Sequence, residues 1–209
     1  MSETSARLTL ANKITLCRIL LIPVFVWLTL DYIRDYQRGL EAEWQRWLAS
    51  AVFAIAAVSD AVDGYVARRY QQKTELGTFL DPLADKALLM SALVLLSVRF
   101  EDGTPFAPLP LWFPVLVISR DLILMLGTLL IHMLTGQARA RPRLVGKCAT
   151  FFQMITLGWV LLKIENPPYE GPLYAAAFFT LVSGLWYVFD GVKQLASTEK
   201  KHAAPPPAS

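Results

Sequence analysis

Between Asp60 and Asp85 the chain reads DAVDGYVARRYQQKTELGTFLDPLAD, and the four aspartates in that stretch are the residues best suited to chemistry. Asp60 and Asp63 are three apart and Asp81 and Asp85 four apart, so each pair shares one face if the backbone is helical. Ionised side chains inside an apolar helix cost up to ~3 kcal/mol near a bilayer centre, and converging carboxylates also repel, so the cluster requires compensation. Oxygen donors without imidazole or thiolate partners suit Mg2+ or Mn2+ rather than zinc, and four carboxylates are enough for two ions. The residues between the pairs suit a phosphate or a nucleotide. Gly64 and Ala67 leave a helix surface without bulk, Gly77 does the same for the opposite wall, and Arg68 adds a fixed positive charge. Divalent ions beside an arginine are equipment for stabilising a pentavalent phosphorus. The bland alternative is a helix-end cluster that faces water, where carboxylates cost little, with Asp63-Gly64 an ordinary helix-terminal turn.

The spacing D-x2-D-G-x2-A-R-x8-G-x3-D-x3-D, complete here as Asp60, Asp63, Gly64, Ala67, Arg68, Gly77, Asp81 and Asp85, resembles the signature of the CDP-alcohol phosphatidyltransferases. The segment NKITLCRILLIPVF at Asn12–Phe25 is similar to that family's first helix, so the likeness covers nearly the whole chain. The resemblance implies roles residue by residue. Asp60, Asp63 and Asp81 would bind metal, and Asp85 would be both a neighbour of the second ion and the general base. Gly64, Ala67, Arg68 and Gly77 would frame the CDP group, and Thr15 would either touch the cytidine or bond its hydroxyl back to its own helix. It also implies CDP-diacylglycerol as phosphatidyl donor, an alcohol acceptor, release of CMP, and a homodimer.

These residues need a membrane scaffold to position them. Apolar residues make up 55% of the 209 and charged ones 18%, outside the balance of soluble domains. Long apolar blocks predict six transmembrane helices in an all-α integral membrane protein, over Ile14–Leu30, Trp47–Val66, Leu80–Val98, Leu109–Leu134, Lys147–Leu162 and Pro172–Phe189. The connecting segments alternate. Arg7 and Lys13, then Arg68, Arg69 and Lys73, then Arg139, Arg141, Arg143 and Lys147, then Lys193, Lys200 and Lys201 mark one side of the membrane. The segments 31–46, 99–108 and 163–171 carry the acids. The positive-inside rule then puts both termini and the aspartates at the cytoplasmic face of a bacterial-type inner membrane. Residues 1–196 are expected to form one membrane domain, and 197–209, rich in proline, a disordered tail. Cys17 and Cys148 have no zinc or disulfide spacing, and a net charge of +3 gives no ground for a nucleic-acid partner.

Two further residues are candidates for the acceptor. Arg120, beside Asp121 in the middle of the fourth block, either lines a polar acceptor site or pairs with a carboxylate of a neighbouring helix. Lys147 opens GKCATFFQ, which resembles the family's GKxxTxxQ segment, though the basic run from Arg139 to Lys147 also suits topology and anionic headgroups. Glycerol 3-phosphate is the first expectation for the acceptor. Phosphatidylglycerol, as in a cardiolipin synthase, is the second, because ISRD at Ile118–Asp121 and the apolar GTLLIHML that follows depart from the glycerol-phosphate pattern. A transporter with an aspartate-lined cation site is the non-enzymatic alternative.

Overall fold

The computed structural model describes the backbone of residues 10–40, 43–70, 75–101, 103–135, 144–166 and 168–202. It describes their side chains except at 10–14, 60–70, 75–83, 85, 132, 134–135 and 194–202. Among these residues every regular element is a helix: α1 (Leu10–Gln37), α2 (Glu43–Tyr70), α3 (Glu75–Ser97), α4 (Trp112–Thr135), α5 (Leu144–Leu161) and α6 (Glu170–His202). Each expected apolar block has its helix. Four contain stretches long and apolar enough to cross a membrane, Thr15–Gln37, Trp112–Ile131, Leu144–Leu161 and Glu170–Lys193, and α3 adds a shorter apolar stretch, Lys86–Ser97. The chain is therefore a multi-pass membrane protein.

The helices outrun the apolar blocks where a neighbour satisfies their polar ends. α1 was expected to stop at Leu30 but continues to Gln37, burying Tyr32 and Ile33. Its Asp31 and Asp35 accept hydrogen bonds from the Gln45 amide of α2 at 2.6 and 3.0 Å, so two carboxylates past the apolar run are not left uncompensated. Gly39, at φ +71°, then ends α1 with the Leu40 amide bonded to Asp35 O at 3.0 Å. α4 begins at Trp112, not Leu109, because Pro110 opens a turn that its carbonyl closes with Phe113 N. α6 extends to His202, so Ser197–His202 is helical where a disordered tail was expected. Glu, Lys and Ala favour helix, and proline enters only at Pro205.

The chain divides into two compact units, Met1–Leu109 with Met154–Tyr169, and Pro110–Gln153 with Glu170–Ser209. In the first, α1 packs on α2 and α3, and α2 on α3. Alanines at 49, 56, 84 and 92 are buried, which lets the helix backbones approach, and Phe25 meets Phe53 with ring centroids 5.6 Å apart. In the second unit α4 packs on α6. The Phe152 ring, in the first half of α5, stacks on Phe179 at 5.4 Å, and beside it the buried Gln153 amide donates to the Thr180 hydroxyl at 2.8 Å.

A polar latch closes one end of the first unit. The Tyr32 hydroxyl donates to Glu43 Oε1 at 2.7 Å and accepts from Lys163 Nζ at 2.6 Å. Arg46 pairs with Glu43 and reaches the Leu162 carbonyl at 3.0 Å. Lys163 follows α5 in the left-handed region, φ +52°, a conformation that costs a non-glycine residue roughly 1–2 kcal/mol and that its two contacts with α1 and α2 offset. Chiefly through the Tyr32 hydroxyl, then Arg46, the Glu43 carboxyl is held down from 4.5 to about 2. A carboxyl lowered by folding stabilises fully above its unfolded value and loses that contribution as pH falls toward the folded one.

The melting temperature in detergent of Glu43→Gln should therefore lie below that of the wild type at pH 7, and the gap should narrow as pH is lowered from about 4.5 toward 2. An equal gap at pH 7 and pH 3 would remove the latch's electrostatic role. Thr180→Val, which strands the buried Gln153 donor, should cost about 1–2 kcal/mol in the same unfolding assay.

Candidate active site

Every motif residue lies on α2 or α3. Asp60, Asp63, Gly64, Ala67 and Arg68 are on α2, and Gly77, Asp81 and Asp85 on α3; all of their side chains lie outside the described residues. Gly64 is inside α2, which continues to Tyr70, so Asp63-Gly64 is not a helix-terminal turn. The backbone places the pairs at matching depths. Asp63 is seven residues before the end of α2 and Asp81 six after the start of α3, while Asp60 and Asp85 are each ten residues in. At 1.5 Å per residue these are rises of about 10 Å and about 15 Å. The two helices touch, and the connection between Tyr70 and Glu75 is too short for anything but antiparallel neighbours. Equal depths on antiparallel helices are level with one another.

α1 packs on both motif helices and adds two buried polar residues, Thr15 at 1% and Arg18 at 0% exposure. Thr15 was a candidate for the nucleotide. Arg18 was not among the candidates, and its complete burial has no signature in the local sequence, where it stands among apolar residues just as a snorkelling arginine would.

The second unit holds Arg120 and Lys147. Arg120 is 10% exposed on α4 and donates Nη1 to Asp121 Oδ1 at 2.8 Å and Nη2 to the Ser183 hydroxyl of α6 at 2.6 Å. Its ion pair is thus with the next residue of its own helix, not with a carboxylate of a neighbouring one. The Tyr187 ring centroid is 5.8 Å from Cζ, within cation–π range. Gly146, at the start of α5, faces the guanidinium: a Cβ there would stand 3.0 Å from Nη2. Lys147 is exposed, and among the described residues no hydrogen bond or ion pair involves it. Ser183 went unnoticed in the sequence, because a serine in an apolar helix ordinarily bonds back to its own backbone, and only the packing of α4 on α6 brings it to Arg120.

What this arrangement can do is bounded by its donors. The aspartates at level positions on α2 and α3 carry only carboxylate oxygens, the donor type that suits a hard divalent cation, and among the described residues no group of three or more His, Cys, Asp or Glu is gathered to hold one. Arg120 offers a largely buried guanidinium whose charge is shared with Asp121 and whose N–H groups could meet an anionic ligand.

Known proteins are similar to this chain over most of its length. The chain is 40% identical over 190 residues to the CDP-diacylglycerol–glycerol-3-phosphate 3-phosphatidyltransferase of Bacillus subtilis, covering 85% of this chain and 92% of that one. It is 34% identical to a probable phosphatidylglycerophosphate synthase of Mycobacterium tuberculosis, over 90% of this chain and 87% of the relative. To the CDP-diacylglycerol–glycerol-3-phosphate 3-phosphatidyltransferase of Escherichia coli K12 it is 33% identical, over 84% and 90% respectively. The family model for CDP-alcohol phosphatidyltransferases matches residues 8–191, a span that takes in α2, α3 and all eight signature residues, and the chain belongs to that family.

Proposed function

We propose that the chain transfers the phosphatidyl group of CDP-diacylglycerol to glycerol 3-phosphate, forming phosphatidylglycerophosphate and releasing CMP. The observation that carries this reading is the complete eight-residue signature in a chain whose relatives of that name, at 33–40% identity, match it over most of both lengths. A cation transporter would not need the glycines, alanine and arginine interleaved with the aspartates.

Asp60, Asp63, Asp81 and Asp85 hold the divalent ions, Mg2+ or Mn2+ and two in number, which supply positive charge to the phosphate oxygens when bound. Gly64, Ala67 and Gly77 leave room for the cytidine diphosphate, Arg68 meets its charge, and the buried Thr15 contributes a hydroxyl. Asp85 takes the proton of the acceptor hydroxyl. The freed oxygen bonds to the phosphorus that carries diacylglycerol, the bond from that phosphorus to the bridging oxygen breaks, and CMP departs with the electron pair. Arg120 and Lys147 hold the phosphate of the acceptor.

The sequence supports six spans with both termini and the aspartates on the cytoplasmic side, since the basic segments fall on alternate connections. Homodimer formation is part of the same reading, and the exposed apolar residues along the helices suit lipid contact or a second copy.

Purified protein with Mg2+ and CDP-diacylglycerol should release CMP with glycerol 3-phosphate and not with phosphatidylglycerol. The reverse result would make the chain a cardiolipin synthase, and release with neither would sink the acceptor assignment. Asp85→Asn should lower CMP release by at least ~100-fold while the melting temperature stays within a few degrees. Asp60→Asn and Asp81→Asn should also weaken Mn2+ binding measured by electron paramagnetic resonance, a readout independent of turnover; unchanged affinity would remove the metal role of those residues.

A further inference from the structure

The Arg120 guanidinium in the second unit is held on two sides and keeps one donor unpartnered on a third. Nη1 is committed to Asp121 and Nη2 to Ser183, while Nε, also buried, has no acceptor among the described residues. An unpaired buried donor of a charged group costs on the order of 1–3 kcal/mol or more, a cost that an anionic ligand reaching it would remove. A guanidinium is a rigid planar fork, and the direction of its Nε edge follows from the anchoring of its two terminal nitrogens. The anchor at Nη2 is the Ser183 hydroxyl at 2.6 Å. The space for that nitrogen depends on Gly146, where a Cβ would stand 3.0 Å from Nη2 and 3.5 Å from Ser183 Oγ. Since Asp121 cancels much of the arginine's charge, recognition here depends on the direction of the remaining N–H groups more than on net charge.

The geometry points to Ser183 as a positioning residue that aims the Nε edge of Arg120 at the phosphomonoester of the acceptor, with Gly146 as the residue that keeps the guanidinium's place free. This rests on the reading of Arg120 as an acceptor ligand and deepens it. The fork selects acceptors that present two or more oxyanion oxygens on one phosphorus. Ser183 makes no contact with the reacting atoms; it acts through Arg120.

The test uses the full chain in detergent with CDP-diacylglycerol and Mg2+, comparing Ser183→Ala, Ser183→Thr, Gly146→Ala, Arg120→Lys and Gly127→Ala. Ser183→Ala and Gly146→Ala should each raise KM for glycerol 3-phosphate on the order of tenfold, with kcat and the KM for CDP-diacylglycerol nearly unchanged. Inorganic phosphate, competing with glycerol 3-phosphate, should lose inhibitory potency by the same factor. Ser183→Thr, which restores the hydroxyl, should recover most of both. Gly127→Ala, on the same helix as Arg120 with nothing within 4 Å of the added carbon, should behave as wild type. If Ser183→Ala and Gly146→Ala leave acceptor KM and phosphate inhibition unmoved while Arg120→Lys weakens both, the positioning role is overturned and the acceptor reading of Arg120 stands. If Arg120→Lys also has no effect, both fall. A Ser183→Ala enzyme that loses kcat and both KM values together has lost packing, which overturns the inference as well. Should Ser183→Ala fail to fold, Gly146→Ala carries the same readout.

Discussion

An ionised group among apolar helices must be answered by a counter-charge or a hydrogen bond within reach, because neither water nor lipid headgroups can rescue it there. Most of what is particular about this chain follows from that constraint. Arg18 and Arg120 are placed where few membrane helices tolerate a cation, and the aspartates of α2 and α3 are a cluster that a bilayer would otherwise expel. Arg120 is answered by Asp121 and Ser183. For the aspartates, whose donors are all carboxylate oxygens, a divalent cation would have the matching chemistry.

Along α2 the latch contacts lie at one end and the signature residues toward the other. Glu43, at one end, is tied by Tyr32, Arg46 and Lys163, and Asp60 lies seventeen residues further on, about 25 Å along the axis. Between them the helix carries small buried residues, Ala49, Ser50 and Ala56, which allow close backbone packing. Rigidity comes from the latch and this close packing. The motif half of α2 carries two carboxylates, a glycine, an alanine and an arginine of the signature, residue types that offer little apolar surface for packing. Lys163 shows the cost accepted at the latch, a left-handed backbone at a lysine, in exchange for contacts with two other helices.

The helix count and approximate positions were legible because apolar runs of membrane length have few alternative explanations. Their ends were less so. Asp31 and Asp35 looked like the end of α1, and it was the Gln45 amide, ten or more residues further along the chain, that kept them helical. The tail looked too polar to order, yet polar residues with good helix propensity continue a helix that packing has already nucleated, as α6 does to His202.

By itself the sequence determined the family: eight residues at set spacing carry its signature, and their side-chain types and charges do not depend on any folding detail. It also determined that the chain carries several helices apolar enough to cross a membrane, since hydropathy is a local property. Only the tertiary structure decided which lone polar residues answer one another. Ser183 and Gly146 acquire meaning from Arg120, sixty-three and twenty-six positions away, and Lys163 from Tyr32 and Glu43. The physical reason is that a hydrogen bond or a missing Cβ acts over a few ångströms of space, and sequence separation carries no information about distance once helices pack side by side.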